Sequence, residues 1–217
     1  MCIRDRLVPL LILETIIAVG LALAVAYVRG SLTDRMVMII CTVGLSISIL
    51  VYIIVFQYVF AYKLGWFPVQ GWGDSFAENL FRFSLLPILI GLVVSIAPNL
   101  RLYRTFVLDE INQDYVRTAR AKGVGENRIM WVHVLRNASI PIITHVMAAL
   151  PGLLVGAFLI ERFFSIPGIG REVILAVERS DFPVIKALTV YVAIATMIVN
   201  LLADLTYKAV DPRVQLK

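Results

Sequence analysis

Residues Asp114-Tyr-Val-Arg-Thr-Ala-Arg-Ala-Lys-Gly123 form a basic, small-residue-rich stretch wedged between two long apolar runs, 83–100 and 138–160. A link between two membrane helices needs only a few polar residues. This one occupies positions 101–137, is compatible with helix, and carries Arg101, Arg104, Arg117, Arg120, Lys122, Arg128 and Arg136. That is more chain and more charge than a link requires. The stretch reads as a place where something docks on one side of a membrane.

Working outward, the composition sets the class. Over 217 residues, 60% are hydrophobic and 16% charged, with a mean hydropathy of +0.88. One soluble core could not hide that much apolar surface. The apolar residues fall in five blocks, 7–28, 36–62, 83–100, 138–160 and 186–209. A helix crosses a bilayer with about 20 apolar residues, and no block shows the strict alternation of a membrane β-strand. The expected fold is all-α: a polytopic bundle over residues 7–209.

Orientation follows from Lys and Arg. The link Arg29-Gly-Ser-Leu-Thr-Asp-Arg35, the long loop 101–136 and the tail from Lys208 are basic, whereas connections 63–82 and 161–186 balance acids and bases. An odd number of spans puts the two basic loops and the tail 210–217 on one side, the cytoplasm. The pI of 9.4 then reflects topology and not a nucleic-acid partner. Residues 1–6, Met-Cys-Ile-Arg-Asp-Arg, back-translate as part of a sequencing adapter and are read as a non-native leader. Cys2 and Cys41 form no disulfide or metal framework.

Within the loop, Ile111, Tyr115 and Ala119 recur at helical spacing and predict a helix over 110–121, while Asp114, Arg117 and Arg120 point elsewhere. Gly123-Val-Gly125 breaks it. A second short helix is expected over 126–135, opening on an acid that suits the helix dipole. Ala119 and Ala121 would leave a shallow surface for a partner. The pattern alone is equally compatible with a basic loop resting on anionic lipid. On the other side, Pro167-Gly168-Ile169-Gly170 forces a turn. Residues 171–179 then suit a short amphipathic helix with Val173, Ile174 and Val177 partly buried, folded over a pathway mouth or lying at the interface.

Ionisable residues inside the blocks are few. Glu14 suits either a snorkelling position or a substrate contact. Asn200, Asp204 and Lys208 lie on one helical stripe, with Asp204–Lys208 as an i,i+4 pair. His133 and His145 lack partners at metal spacing and read as structural.

The stretch 114–123, with His133-Val-Leu-Arg-Asn-Ala138 downstream, resembles the cytoplasmic coupling loop of ABC-importer permeases, and more narrowly the dipeptide/oligopeptide/nickel permease family. The general permease pattern is Glu-Ala-Ala, three residues, Gly, nine residues, then Ile-x-Leu-Pro, and the departures at Arg117, His133 and Arg136 are those the resemblance implies for the peptide-type subfamily. Arg117-Thr118-Ala119 occupies the Glu-Ala-Ala position, Gly123 the glycine, and His133-Val134-Leu135-Arg136 the final part. Glu161-Arg-Phe-Phe-Ser-Ile-Pro-Gly-Ile-Gly170 with Arg179-Ser-Asp-Phe-Pro183 resembles the outer loop of the first, B-type, permease subunit, and Leu64-Gly-Trp-Phe-Pro68 and Asp211-Pro-Arg213 also match. The match to the first two spans is weak: the usual proline is missing around Ser46–Ser48. A further first helix and outer segment are usual in the family, so a truncated start is expected.

The resemblance implies a type I permease bundle, usually of six spans, paired with a second permease subunit. Two cytoplasmic ABC ATPases would hold ATP and Mg, and an extracytoplasmic solute-binding protein would deliver the cargo. All of this would sit in the lipid bilayer of a bacterial or archaeal inner membrane, with no nucleic acid, metal or cofactor held by this chain. It assigns ATPase coupling to Asp114, Tyr115, Arg117, Ala119, Arg120, Ala121, Gly123, His133 and Leu135. It assigns the outer gate and binding-protein contact to Glu161, Phe164, Pro167, Gly168, Gly170, Asp181 and Pro183. No Gly-x-x-x-x-Gly-Lys-Ser/Thr phosphate loop is present, in keeping with a transport subunit that is not an enzyme. The alternative, an ion-coupled secondary transporter, would call for paired ionisable or broken-helix sites at mid-membrane and an inverted repeat, and Glu14 is the single candidate. An intramembrane enzyme would call for a nucleophile and base, or a metal cluster, that the sequence does not offer.

Overall fold

The computed structural model describes residues 2–73, 79–155 and 158–210, and every regular element among them is helical. The all-α membrane bundle expected from the apolar blocks is the architecture observed. Helix α1 (Cys2–Tyr27) pairs with α4 (Leu85–Ile111) in the most extensive helix contact of the fold. Ala18, Ala22 and Ala26 of α1 recur every four residues and are fully covered. Small residues at that spacing let two helix backbones approach closely, as membrane packing requires. Opposite them lie Ala97, Leu100, Tyr103 and Val107 of α4.

The second block does not form the single span expected over 36–62. Helices α2 (Leu32–Ser46) and α3 (Ile49–Phe56, continued by a π-type turn Gln57–Lys63) meet at 92°. The Ser48 hydroxyl accepts from the Leu50 amide at 3.4 Å, capping a new helix, and Ile47 is extended. Thr42 and Ser46 each bond back to the carbonyl four residues earlier, which weakens and bends helices. The start of α2 is tied to α4 by Asp34–Arg104 at 2.8 Å, and Gln57 beyond α3 donates to the Phe163 carbonyl. The two ends therefore reach opposite ends of the bundle: this is a broken span.

Two other boundaries differ from expectation. Helix α4 does not stop at Leu100 but runs on to Ile111, so Arg101 and Arg104 are helical and not part of a loop. Its 27 residues span about 40 Å, longer than the roughly 30 Å hydrocarbon core. The expected helix over 126–135 does not end at Leu135: Glu126–Arg128 passes through a π-type turn, Ile129–Val134, straight into the next long helix, Leu135–Val155. No Gly or Pro stands at 126–140 to stop it.

Numbering on, α5 is Asp114–Ala121, α6 Glu126–Arg128, α7 Leu135–Val155, α8 Phe158–Phe163, α9 Ile169–Glu178 and α10 Phe182–Val210. Among the described residues, Leu10–Tyr27, Leu85–Ile111 and Phe182–Leu202 are long and apolar enough to cross a membrane, with the bent α2–α3 pair as a fourth. The 21 residues of α7 run beside α4 and α10. The Asp204 and Lys208 side chains and the motif at 211–213 lie outside the described residues. One apolar core surrounds α1, α4, α5 and the start of α7; a second joins α3, the start of α4 and α8.

Candidate functional site

The helix expected over 110–121 is broken at Asn112–Gln113. The Asn112 side chain donates to the Leu108 carbonyl at 3.0 Å and Gln113 turns extended, so α4 stops and α5 starts afresh at Asp114. With eight residues, α5 is too short to be stable alone; its inner face must hold it. Val116 is fully buried beside the core of Ile111, Ile129, Met130 and Val134, and Tyr115 and Ala119 pack partly against the same core. The Tyr115 hydroxyl donates to Glu110 Oε2 at 2.6 Å. Burial and that bond to a carboxylate push the Tyr115 hydroxyl up to about 12, so it remains a donor at any physiological pH. The outer face carries Asp114, Arg117, Thr118 and Ala121, all exposed and spaced i, i+3, i+4, i+7. The Arg117–Asp114 pair at 3.5 Å is exposed and adds little.

This divides the predicted coupling residues. Ala119 and Ala121 do not share a surface: two residues apart on a helix they point to nearly opposite sides, Ala119 inward and Ala121 outward. His133 and Leu135 are half-buried in the return arm. Trp131 and Val132, which the sequence reading passed over, are exposed there. Their signal was faint: a tryptophan outside every helical stripe.

The turn after α5 is a Schellman cap. The Gly123 amide donates to the Arg120 carbonyl at 2.9 Å and the Val124 amide to Ala119 at 3.2 Å. Gly123 has φ +74°, and a Cβ there would meet no atom within 4 Å, so backbone conformation and not crowding within this chain demands glycine. Arg120 then forks onto both Glu126 carboxylate oxygens, at 2.7 and 3.2 Å. That bond holds the Glu126 carboxyl below the usual range and raises the Arg120 guanidinium. A depressed carboxylate pKa stabilises the turn above the unfolded value of 4.5, and the effect fades as pH falls through the folded pKa. Both side chains are more than a third exposed, so the effect is modest. Amide-exchange protection at 123–126 is expected to weaken below about pH 4.5 in the native chain. In Glu126→Gln it should be weaker at pH 7 and insensitive to acid; identical profiles would rule this out.

The end of the bundle that carries α5 also gathers the basic link. Arg29 donates to Asn112 Oδ1 at 3.1 Å, beside the Asp34–Arg104 pair. The two basic loops placed on one side by charge counting do lie at one end of the molecule.

At the other end, Glu161 is 2% exposed, and its carboxylate accepts from the Arg171 amide at 3.2 Å. Gly168 and Gly170 make room for it: a Cβ on either would press on that carboxylate. Phe164 fills the second core, and its carbonyl takes the Gly71 amide. Arg171 Nη1 donates to Ser165 O at 3.3 Å, and Arg162 bridges Glu178 at 3.0 Å. Glu161, Phe164, Gly168 and Gly170 thus form one packed clasp with Pro167 on its exposed rim. Asp181 and Pro183 stand apart at the start of α10, where Asp181 Oδ1 accepts from the Val184 amide as a helix cap. Helix α9 spans Ile169–Glu178; Val173 and Ile174 are partly buried as expected, whereas Val177 is 58% exposed, contrary to expectation, and Ala176 beside it is the buried residue of that turn.

The described residues thus form a helical bundle with a short amphipathic helix packed against one end. A family model described as binding-protein-dependent transport system inner membrane component matches residues 16–216. The chain belongs to this family. It is accordingly a multi-pass transport component of the inner membrane. A peptide permease protein of Brucella ovis is 36% identical over 227 residues, covering 98% of this chain and 70% of the relative. The oligopeptide transport system permease protein AppB of Bacillus subtilis is 37% identical over 177 residues, covering 80% and 56%. The di/tripeptide transport system permease protein DppB of Pseudomonas aeruginosa is 35% identical over 210 residues, covering 86% and 62%. The chain therefore spans between 56% and 70% of the length of these relatives.

Proposed function

We propose that the chain is a permease subunit of an ATP-driven importer of peptides or similar small solutes, contributing to the translocation path and seating α5 on a cytoplasmic ABC ATPase. The observation that carries this reading is the two-faced build of α5: a bolted inner face (Val116, Tyr115) and a free outer face (Asp114, Arg117, Thr118, Ala121). A loop merely resting on lipid would not need an inner face locked into the core. The peptide class is supported by the names of the relatives. ATP and Mg belong to two partner ATPases, a second permease completes the path, and a solute-binding protein delivers cargo to the outer side, near the Glu161 clasp. Helix α5 and the C-terminus face the cytoplasm of a bacterium or archaeon. Alternating access then consists of two bundle arrangements biased from both sides.

The test replaces Cys2 and Cys41 and places a single cysteine at Ala121, opposite cysteines in the docking groove of a co-expressed ATPase. A crosslink that changes with ATP is expected, and Gly123→Val should weaken it, because a β-branched residue resists the left-handed turn. Full membrane insertion with no crosslink in any nucleotide state would sink the docking assignment.

A further inference from the structure

The ends of α1 and α4 meet at a cavity of about 390 Å³, bordered on its third side by the turn that follows α5. Pockets of this size hold small molecules. Tyr27, Ile111 and Met130 give it an apolar wall, and Arg29, Arg120 and Glu126 a polar one. Tyr27 is the last residue of one membrane-capable segment, Leu10–Tyr27, and Ile111 the last of another, Leu85–Ile111. The cavity therefore stands where hydrocarbon gives way to headgroups, the depth at which tyrosine collects.

The charges on the polar wall do not cancel. Glu126 is neutralised by the Arg120 fork, and nearby Asp34 is taken by Arg104. Arg29 donates only to a neutral amide, at Asn112 Oδ1, and has no carboxylate partner among the described residues. A guanidinium carries five N–H groups. Arg29 spends one on Asn112 and Arg120 two on Glu126. Two guanidiniums with unspent donors in one cavity suit a phosphate, whose oxygens accept forked bonds. A free phosphate would leave the Tyr27, Ile111 and Met130 wall without a partner. A phospholipid satisfies both walls, with its phosphodiester on the arginines and its glycerol and upper chains on the apolar side. Basic pockets between membrane helices at the cytoplasmic face suit anionic headgroups in this way. Arg120 lies about a third of a turn round α5 from the middle of its outer face, so a lipid bound here leaves that face clear.

We infer that this cavity binds one anionic phospholipid of the cytoplasmic leaflet, held by Arg29 and Arg120. The leaflet rests on the proposed reading that α5 faces the cytoplasm. The test uses the full chain in nanodiscs, where both leaflets are supplied alike. Trp66, Trp72 and Trp131 are replaced by phenylalanine, and Tyr27→Trp puts a single tryptophan at the cavity. Its quenching by acyl-brominated phosphatidylglycerol is compared with that by acyl-brominated phosphatidylcholine at equal mole fraction. About twentyfold preference for phosphatidylglycerol is expected, since each arginine near the surface contributes about fivefold. Arg29→Gln leaves the Arg120–Glu126 fork intact and should cut the preference about fivefold. Arg128 is exposed on the same basic loop but does not line the cavity, so Arg128→Gln should leave the preference unchanged.

Equal quenching by the two lipids overturns the site, and that comparison needs no charge variant. Equal losses in Arg128→Gln and Arg29→Gln also overturn it, because a diffuse basic surface would then suffice. So does inorganic phosphate that abolishes the preference beyond the effect of chloride at matched ionic strength, for the cavity would then take free phosphate. The Ala121 crosslink separates this inference from the docking reading. No lipid preference with the crosslink intact counts against the lipid site alone. A preference that persists where no nucleotide state gives a crosslink counts against the docking reading alone.

Discussion

Gly168→Ala is expected to unseat the outer clasp and lower the stability of that end of the bundle by about 3 kcal/mol, between the cost of overpacking a core and that of stranding a buried charge. The new methyl would overlap the Glu161 carboxylate. That carboxylate cannot step aside. It is buried, tied to the Arg171 amide, and closed in by Gly170, whose own position lies so near Phe158 that a Cβ there would be 2.9 Å from the Phe158 Cα. Accommodation means opening the 161–171 turn or leaving a buried carboxylate without its donor. The diagnostic is the double variant. Glu161→Ala alone removes a partner from Arg171, but it also clears the space that the Gly168 methyl needs. The pair should therefore be less damaging than the sum of the singles by more than 0.5 kcal/mol, as contacting sites commonly are. Trypsin cleavage after Arg162 and Arg171 in detergent reads the opening. Wild-type resistance in Gly168→Ala, or strictly additive damage, would show that the glycines serve some purpose other than holding this carboxylate.

Why some of this was legible and some not has physical reasons. The membrane class and helix placement follow from block hydrophobicity, a property that survives loss of all detail. The end of α4 did not, because hydropathy falls at Arg101 while the buried stripe of Leu100, Tyr103, Val107 and Ile111 keeps its period well past that point. The break at Ile47–Ser48 was hidden because it uses neither Gly nor Pro. The Thr42 and Ser46 hydroxyls loosen the end of α2, while Ser48 caps the Leu50 amide and the Tyr52 hydroxyl takes the Gly44 carbonyl at 3.1 Å in place of helical bonds lost at the break. The opposite facings of Ala119 and Ala121 were readable from helical geometry alone and were misassigned. The Glu161 clasp depends on a carboxylate seven residues from the glycine that accommodates it, and spacing within a loop does not reveal which way a side chain folds.

Val116→Asp is expected to abolish coupling while leaving the membrane spans in place. Val116 is fully buried, lies outside every membrane-capable segment, and is the single fully covered side chain of α5. A carboxylate there would face Ile129, Met130 and Val134 with no described donor among them, and stranding such a charge costs several kcal/mol. Against that, α5 has only eight residues, below the length at which a helix holds itself together. The tether left is the Tyr115–Glu110 bond with the Arg120–Glu126 fork; a bond to a carboxylate contributes about 2 kcal/mol and an exposed ion pair at most about 1 kcal/mol, together less than stranding the new charge costs. The helix should therefore detach. Amide exchange at 116–121 should rise by about two orders of magnitude, the equivalent of roughly 3 kcal/mol of lost local stability, and the ATP-dependent Ala121 crosslink should vanish together with solute uptake. Thr118→Asp makes the matching control: it adds the same charge two residues away on the free face, so it should leave exchange unchanged and alter only the crosslink. If Val116→Asp keeps both its protection and its crosslink, α5 is held by its polar ties and the apolar bolt is not what transmits force. If Thr118→Asp loosens the helix as much, the division into an inner and an outer face is wrong, because the damage would then follow charge and not burial.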